Sequence, residues 1–136
     1  MEAHSIAGEW RGHYQYRKLP DHGCSFSAFF SESSGQIDGT IVDDFAPGEA
    51  RLEGSFAFPS LQFTKVYLNT IYSVAPIDYV GSMSQDGKTI SGTWTIKNDH
   101  STSGTWTAHR LNEEAVDLAK KKARRVGTPQ VEDALI

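Results

Sequence analysis

Residues 90–109 read ISGTWTIKNDHSTSGTWTAH, so the five letters SGTWT occur twice, twelve residues apart. With Trp94 set opposite Trp106, the midpoint falls on His100 and the polar run 98–102 forms the tip of a hairpin. Asn, Asp and Ser suit such a turn because their short side chains bond the local backbone. Side chains alternate along a strand. Gly92, Trp94 and Ile96 therefore share one face with Gly104, Trp106 and Ala108, and the threonines 93, 95, 105 and 107 take the other. Thr has high β propensity and tolerates solvent, and cross-strand aromatic pairs add stability. The duplication thus reads as architecture, with two tryptophans on a core face.

The same alternation extends outward. Between residues 8 and 111 the chain breaks into short aromatic and β-branched runs punctuated by Gly, Pro, Asp and Asn. Strands are expected at 10–17, 24–30, 36–42, 50–56, 61–68, 78–84, 89–96 and 103–110. The connections are too short for crossover helices, so neighbours in sequence should pair antiparallel. Glycine in most strands allows tight bends in a wall, and closure removes exposed edges. The expectation is an all-β, eight-stranded antiparallel up-and-down barrel. A third G-x-W, Gly8 to Trp10, opens the first strand. In a closed meander the first and last strands are neighbours, so the three G-x-W units would lie on strands seven, eight and one and plug one end of the barrel. Gly8, Trp10, Gly92 and Gly104 are accordingly expected to be structural.

The tail differs. Residues 112–126 read as a helix, with Asn112 as its cap, acids in the first turn and bases in the last. Gly127 and Pro129 stop it. The expected organisation is one barrel domain over 1–126 including this helix, and a flexible tail over 127–136. The basic stretch 120–125 reads as a solvated helix end.

The G-x-W at Gly8 and Trp10, the two S-G-T-W stretches at Ser91–Trp94 and Ser103–Trp106, and a helix after strand eight resemble the calycin superfamily of lipocalins, fatty-acid-binding proteins and avidins. The resemblance implies a lipocalin-like barrel for a hydrophobic ligand, and a homo-oligomer, since such barrels often assemble. The chain departs from secreted lipocalins in having a single cysteine, Cys24, and from fatty-acid-binding proteins in lacking a helix pair after strand one. A full avidin-type biotin site does not map onto it.

Parity along each strand points a set of side chains inward. From it the ligand-binding candidates are Tyr14, Tyr16, Phe26, Phe63, Lys65, Tyr67, Tyr79, Trp94 and Trp106. Lys65 is the most diagnostic, because an inward lysine needs a partner for its charge. It can snorkel to the mouth, turn outward at a bulge, or join the tyrosines and Arg110 in holding an acidic ligand group. The aspartates 38, 43, 44, 78 and 86 mostly read as turn or surface residues. The histidines form no metal-ligand motif; His13 and His109 face outward and read as a surface pair. No nucleophile elbow or phosphate loop occurs.

Function classes narrow accordingly. A formal net charge of -4 gives no overall attraction to nucleic acid or an anionic membrane. No run approaches the ~20 apolar residues of a membrane span. The N-terminus carries no basic, apolar leader pattern. A cytoplasmic location is therefore expected, with no cofactor, no metal and no catalytic residue assigned. The first reading is a soluble barrel that binds a small hydrophobic or acidic ligand in its interior. Beside it stand a filled barrel serving structure or protein interaction, and, behind both, a small-molecule enzyme or a haem-binding barrel.

Overall fold

The structure, a computed structural model, describes residues 4–69, 71 and 74–111. They form eight strands: β1 (Gly8–Tyr16), β2 (Gly23–Ser33), β3 (Gln36–Asp43), β4 (Glu49–Ala57), β5 (Ser60–Tyr67), β6 (Ile77–Met83), β7 (Thr89–Ile96) and β8 (Asp99–Arg110). Each pairs antiparallel with the next, and β8 pairs with β1, so the sheet closes into an up-and-down barrel. The expected barrel is present. The expected helix over 112–126, its basic run and the tail lie outside the described residues.

Alternation decides which residues form the core. In β4 the pattern places Ala50, Leu52 and Phe56 inward, and in β5 Leu61, Phe63, Lys65 and Tyr67. Trp10, Phe26, Ile41, Tyr79, Ile90, Trp94 and Trp106 complete a continuous interior. The outward threonines and serines meet solvent.

The hairpin of β7 and β8 is shifted from the expected register. Trp94 lies opposite Gly104 and Trp106 opposite Gly92, so each ring meets a glycine rather than the other ring. The reason is space. A Cβ on Gly104 would come within 2.6 Å of Trp94 Cζ2 and 1.9 Å of the Gln15 carbonyl oxygen. The turn is correspondingly tighter, at Lys97 and Asn98, and β8 starts at Asp99 with a register shift opposite Thr95 and Ile96. Asp99 organises this start by accepting hydrogen bonds from the Ser101 amide and the Thr102 hydroxyl.

The three tryptophans do sit on adjacent strands, but they do not plug one end together. Their heights differ: Trp10 pairs with Arg110, Trp106 with Tyr14, and Trp94 with Tyr79. One end is closed instead by the segment before β1. Ile6 is fully buried there and its carbonyl accepts from Trp10 Nε1 at 3.0 Å. Arg110 lies 4.5 Å over the Trp10 ring and donates to the carbonyls of Ala7 and Gly87 at 2.7 and 3.1 Å. His4 stacks on Phe58 and bonds the Gln85 carbonyl. The opposite end, carrying the β1–β2, β3–β4 and β5–β6 loops and the Lys97–Asn98 turn, holds the cavity.

Candidate functional site

At the cavity end the interior turns from apolar to polar. Lys65, inward on β5, is fully buried. It neither snorkels nor turns outward, because a counter-ion meets it inside the barrel: Nζ donates to the Asp43 carboxylate oxygens at 2.9 and 3.1 Å. Asp43 is the last residue of β3 and continues the inward series Ile37, Gly39, Ile41. It is itself buried, not the turn residue the D-D-F-A-P-G run suggests. Sequence reasoning missed it, although its inward parity opposite an inward lysine is a usable signal.

Three tyrosines surround the pair. Tyr67 donates a short hydrogen bond to Asp43, and Tyr14 a longer one at 3.4 Å. The Lys65 ammonium stands 5.1, 4.6 and 5.7 Å from the ring centroids of Tyr14, Tyr67 and Tyr79. Such ring faces attract a cation electrostatically. Burial pushes the Lys65 pKa down, and the Asp43 charge and hydrogen bond oppose it. Burial and the Asp43 carboxylate push the hydroxyls of Tyr14, Tyr67 and Tyr79 above the ordinary phenol value. The cluster is thus a buried ion pair whose charges cancel, with phenols that stay protonated.

Above it lies a cavity of about 130 Å³. Its aromatic wall is Tyr14, Tyr16, Tyr67, Tyr79 and Trp94, and its rim includes Pro47 from the β3–β4 loop and Val74 from the approach to β6. Trp94 is held upright by the edges of Tyr14 and Tyr16, at centroid distances of 5.9 and 5.0 Å. Its indole nitrogen is buried with no hydrogen-bond partner among the described residues. The other two tryptophans are satisfied: Trp10 by Ile6 and Trp106 by the Val80 carbonyl at 3.1 Å.

The nine expected ligand-binding residues therefore divide. Tyr14, Tyr16, Tyr67, Tyr79 and Trp94 line the cavity. Lys65 lies among three of those rings, on Asp43. Phe63 and Trp106 sit deeper, packed on Tyr79 at 4.7 and 5.5 Å, and Phe26 stacks on Tyr14. Arg110 is not part of the group; it is at the closed end with Trp10. His13 and His109 contact Ser25 and Thr89 on the outer surface, and no cluster of three metal-ligating side chains occurs among the described residues. Cys24 is buried. Leu19, Phe45 and Ile71 are exposed on the loops at the cavity end. No helix among the described residues is long and apolar enough to cross a membrane.

A closed eight-stranded antiparallel barrel is the architecture that calycin and lipocalin-like proteins share in general. No protein-family model matches this chain, and no curated protein matches it.

Proposed function

We propose that the barrel binds a small, partly apolar ligand in the cavity at its loop-bearing end. The observation that carries this reading is the cavity itself, open between the loops and walled by Tyr14, Tyr16, Tyr67, Tyr79 and Trp94 above the buried Lys65–Asp43 pair. The aromatic wall supplies apolar contact, and the mixture of apolar wall and few polar groups is that of small-molecule sites. The volume of about 130 Å³ sets the scale; an apolar cavity of roughly 150 Å³ holds benzene.

Native mass spectrometry of the full chain, purified from several hosts, tests the reading. A retained small molecule, or saturable binding of ring-sized probes to apo protein, supports it. Apo protein from every host together with no saturable probe binding refutes it.

A filled barrel that meets a protein partner is the second reading. The exposed Leu19, Phe45 and Ile71 near the mouth favour it, as does the packing of Phe30, Phe63, Tyr79 and Trp106 beneath the cavity. The same spectra separate the two, because they report oligomeric state alongside any bound mass.

A further inference from the structure

We infer the chemistry of the guest: an uncharged amphiphile, bound head-first, with an oxygen-bearing head on the Tyr79 hydroxyl and an apolar body that runs out to the rim. The inference rests on the binding reading above and specifies it.

Tyr79 sets the place of the head. It is 2% exposed and lines the cavity. Its ring is fixed from the deeper side, stacked on Phe63 at 4.7 Å and edge-on to Trp106 at 5.5 Å. Its hydroxyl makes no hydrogen bond among the described residues, because Asp43 is already taken by Lys65, Tyr67 and Tyr14. The hydroxyl is nonetheless not sealed in. Among the described residues only Trp94 Nε1 is a buried side-chain nitrogen or oxygen both unpaired and shut off from solvent. The Tyr79 hydroxyl therefore keeps accessible surface, and the cavity is the space that this residue lines. The groups that act on it most strongly, Asp43, Tyr14 and Tyr16, all belong to the cavity end. A phenol hydroxyl both donates and accepts, so a guest oxygen finds a free partner there.

The rim sets the place of the body. Tyr79 lies opposite Trp94, one inward step below Ile77 opposite Ile96. Ile77, Ile96, Val74 and Pro47 line the outer part of the cavity, and Phe45 and Ile71 stand exposed on the loops beyond them. Polarity thus runs from a hydroxyl-bearing floor to an apolar rim, and a guest with its head inward and its body outward matches both.

The ion pair sets the charge. Lys65 and Asp43 are buried on one another at 2.9 Å. An anionic head at Tyr79 would approach the Asp43 carboxylate while Lys65 is already committed to it. A cationic head would approach the Lys65 ammonium, 5.7 Å from the Tyr79 ring centroid. Either ion would lose its hydration without compensation, and an alcohol or carbonyl oxygen faces neither cost.

Isothermal titration calorimetry on the full chain at neutral pH tests this with probes that share one body. These are 2-phenylethanol, 2-phenylethylammonium, 3-phenylpropanoate and, without a head, ethylbenzene. The alcohol should bind more tightly than either ion. Tyr79→Phe removes one oxygen and keeps the ring on Phe63. It should weaken the alcohol about fivefold, the change expected for one net hydrogen bond, and leave ethylbenzene nearly unchanged. Tighter binding of either ion overturns the inference and leaves the binding reading standing. So does an alcohol affinity untouched by Tyr79→Phe, or an equal loss for alcohol and ethylbenzene. No saturable heat with any probe overturns the inference, and together with apo protein from every host it refutes the binding reading too. The wild-type ranking decides the question even where the variant does not fold.

Discussion

Lys65 and Asp43 meet inside the barrel from β5 and β3, strands that both flank β4 and do not pair with each other, and neither side chain is more than 1% exposed. The pair ties β3 to β5 over the intervening strand, beneath the cavity. Its geometry supplies both oxygens of the carboxylate to one ammonium, and tyrosine hydroxyls fill the remaining capacity of Asp43.

Breaking the pair from one side should be far worse than removing it whole. Lys65→Met leaves a buried carboxylate with only phenols for company, and Asp43→Leu leaves a buried ammonium. Each should lower stability by about 3–5 kcal/mol, whereas replacing a whole buried pair by apolar residues is often neutral. The double variant Asp43→Leu, Lys65→Met should therefore be more stable than either single variant. Urea unfolding of the three proteins checks this; a double variant that loses the sum of the single losses contradicts it.

The tyrosines make a pH prediction. Tyr14, Tyr67 and Tyr79 have pKa values raised above 10.0 in the folded chain, chiefly by burial. Above pH 10 the unfolded chain releases these protons and the folded chain keeps them. Folding then binds protons, and stability falls as pH rises. The lowered Lys65 pKa acts in the opposite direction, because between it and 10.5 the unfolded chain holds the extra proton. That contribution ends near 10.5, while the tyrosine contribution grows. Unfolding free energy should drop steeply above that pH, and phenolate absorbance from the three tyrosines should appear only with unfolding. Tyr67→Phe should flatten the slope by about 1.4 kcal/mol per pH unit over the range where its proton would be held. Early phenolate absorbance in the native protein, from more than the remaining tyrosines, contradicts the prediction.

Most of the barrel is legible in the sequence because a strand has a period of two and a buried face repeats it. Phe63, Lys65 and Tyr67 point inward by that rule alone, and so do Trp94 and Trp106. What alternation does not supply is the pairing of strands far apart in sequence. Asp43 reads as the first residue of a turn, since Asp-Asp-Phe-Ala-Pro-Gly has every local mark of one, yet it continues the inward alternation of β3 and meets Lys65 inside the barrel. The register of β7 against β8 was hidden for a related reason. Placing like opposite like is reasonable for a repeat, but a ring opposite a ring needs room that a ring opposite a glycine already has. Trp10 misled in height rather than in strand, because adjacency around a closed sheet says nothing about level along it.

Glycine positions give a graded test of that packing. Gly104→Ala puts a Cβ 1.9 Å from the Gln15 carbonyl oxygen and 2.6 Å from Trp94 Cζ2, and the backbone contact cannot yield cheaply. Gly48→Ala meets nothing within 4 Å, and its cost is the strain of a φ of +78° alone. That strain amounts to ~1–2 kcal/mol. The Gly104 variant should lose more stability than the Gly48 variant, and its near-ultraviolet circular dichroism should change because Trp94 must move. Equal losses, with an unchanged tryptophan signal, would argue against the tight contact between Trp94 and β8.

At the closed end Arg110 gives the last prediction. Its guanidinium lies over the Trp10 ring and donates to the carbonyls of Ser5, Ala7 and Gly87. One cation therefore fastens the chain before β1 and the β6–β7 loop to the end of β8. Arg110→Gln removes the charge and the planar fork. Arg110→Lys keeps a charge over the ring but cannot reach three carbonyls at once. The losses should rank Gln above Lys, with about 1–3 kcal/mol for Gln from its charge-assisted hydrogen bonds. The local consequence is the sharper measurement. The Ile6 amide bonds Glu32 and the Leu111 amide bonds the Glu9 carbonyl, so both should exchange with deuterium faster in the variants. Amides of β5, near the cavity, should keep the protection that the remaining global stability allows. Uniform acceleration across the barrel, tracking only global stability, would mean that Arg110 contributes to the whole sheet and does not hold the N-terminal segment in particular.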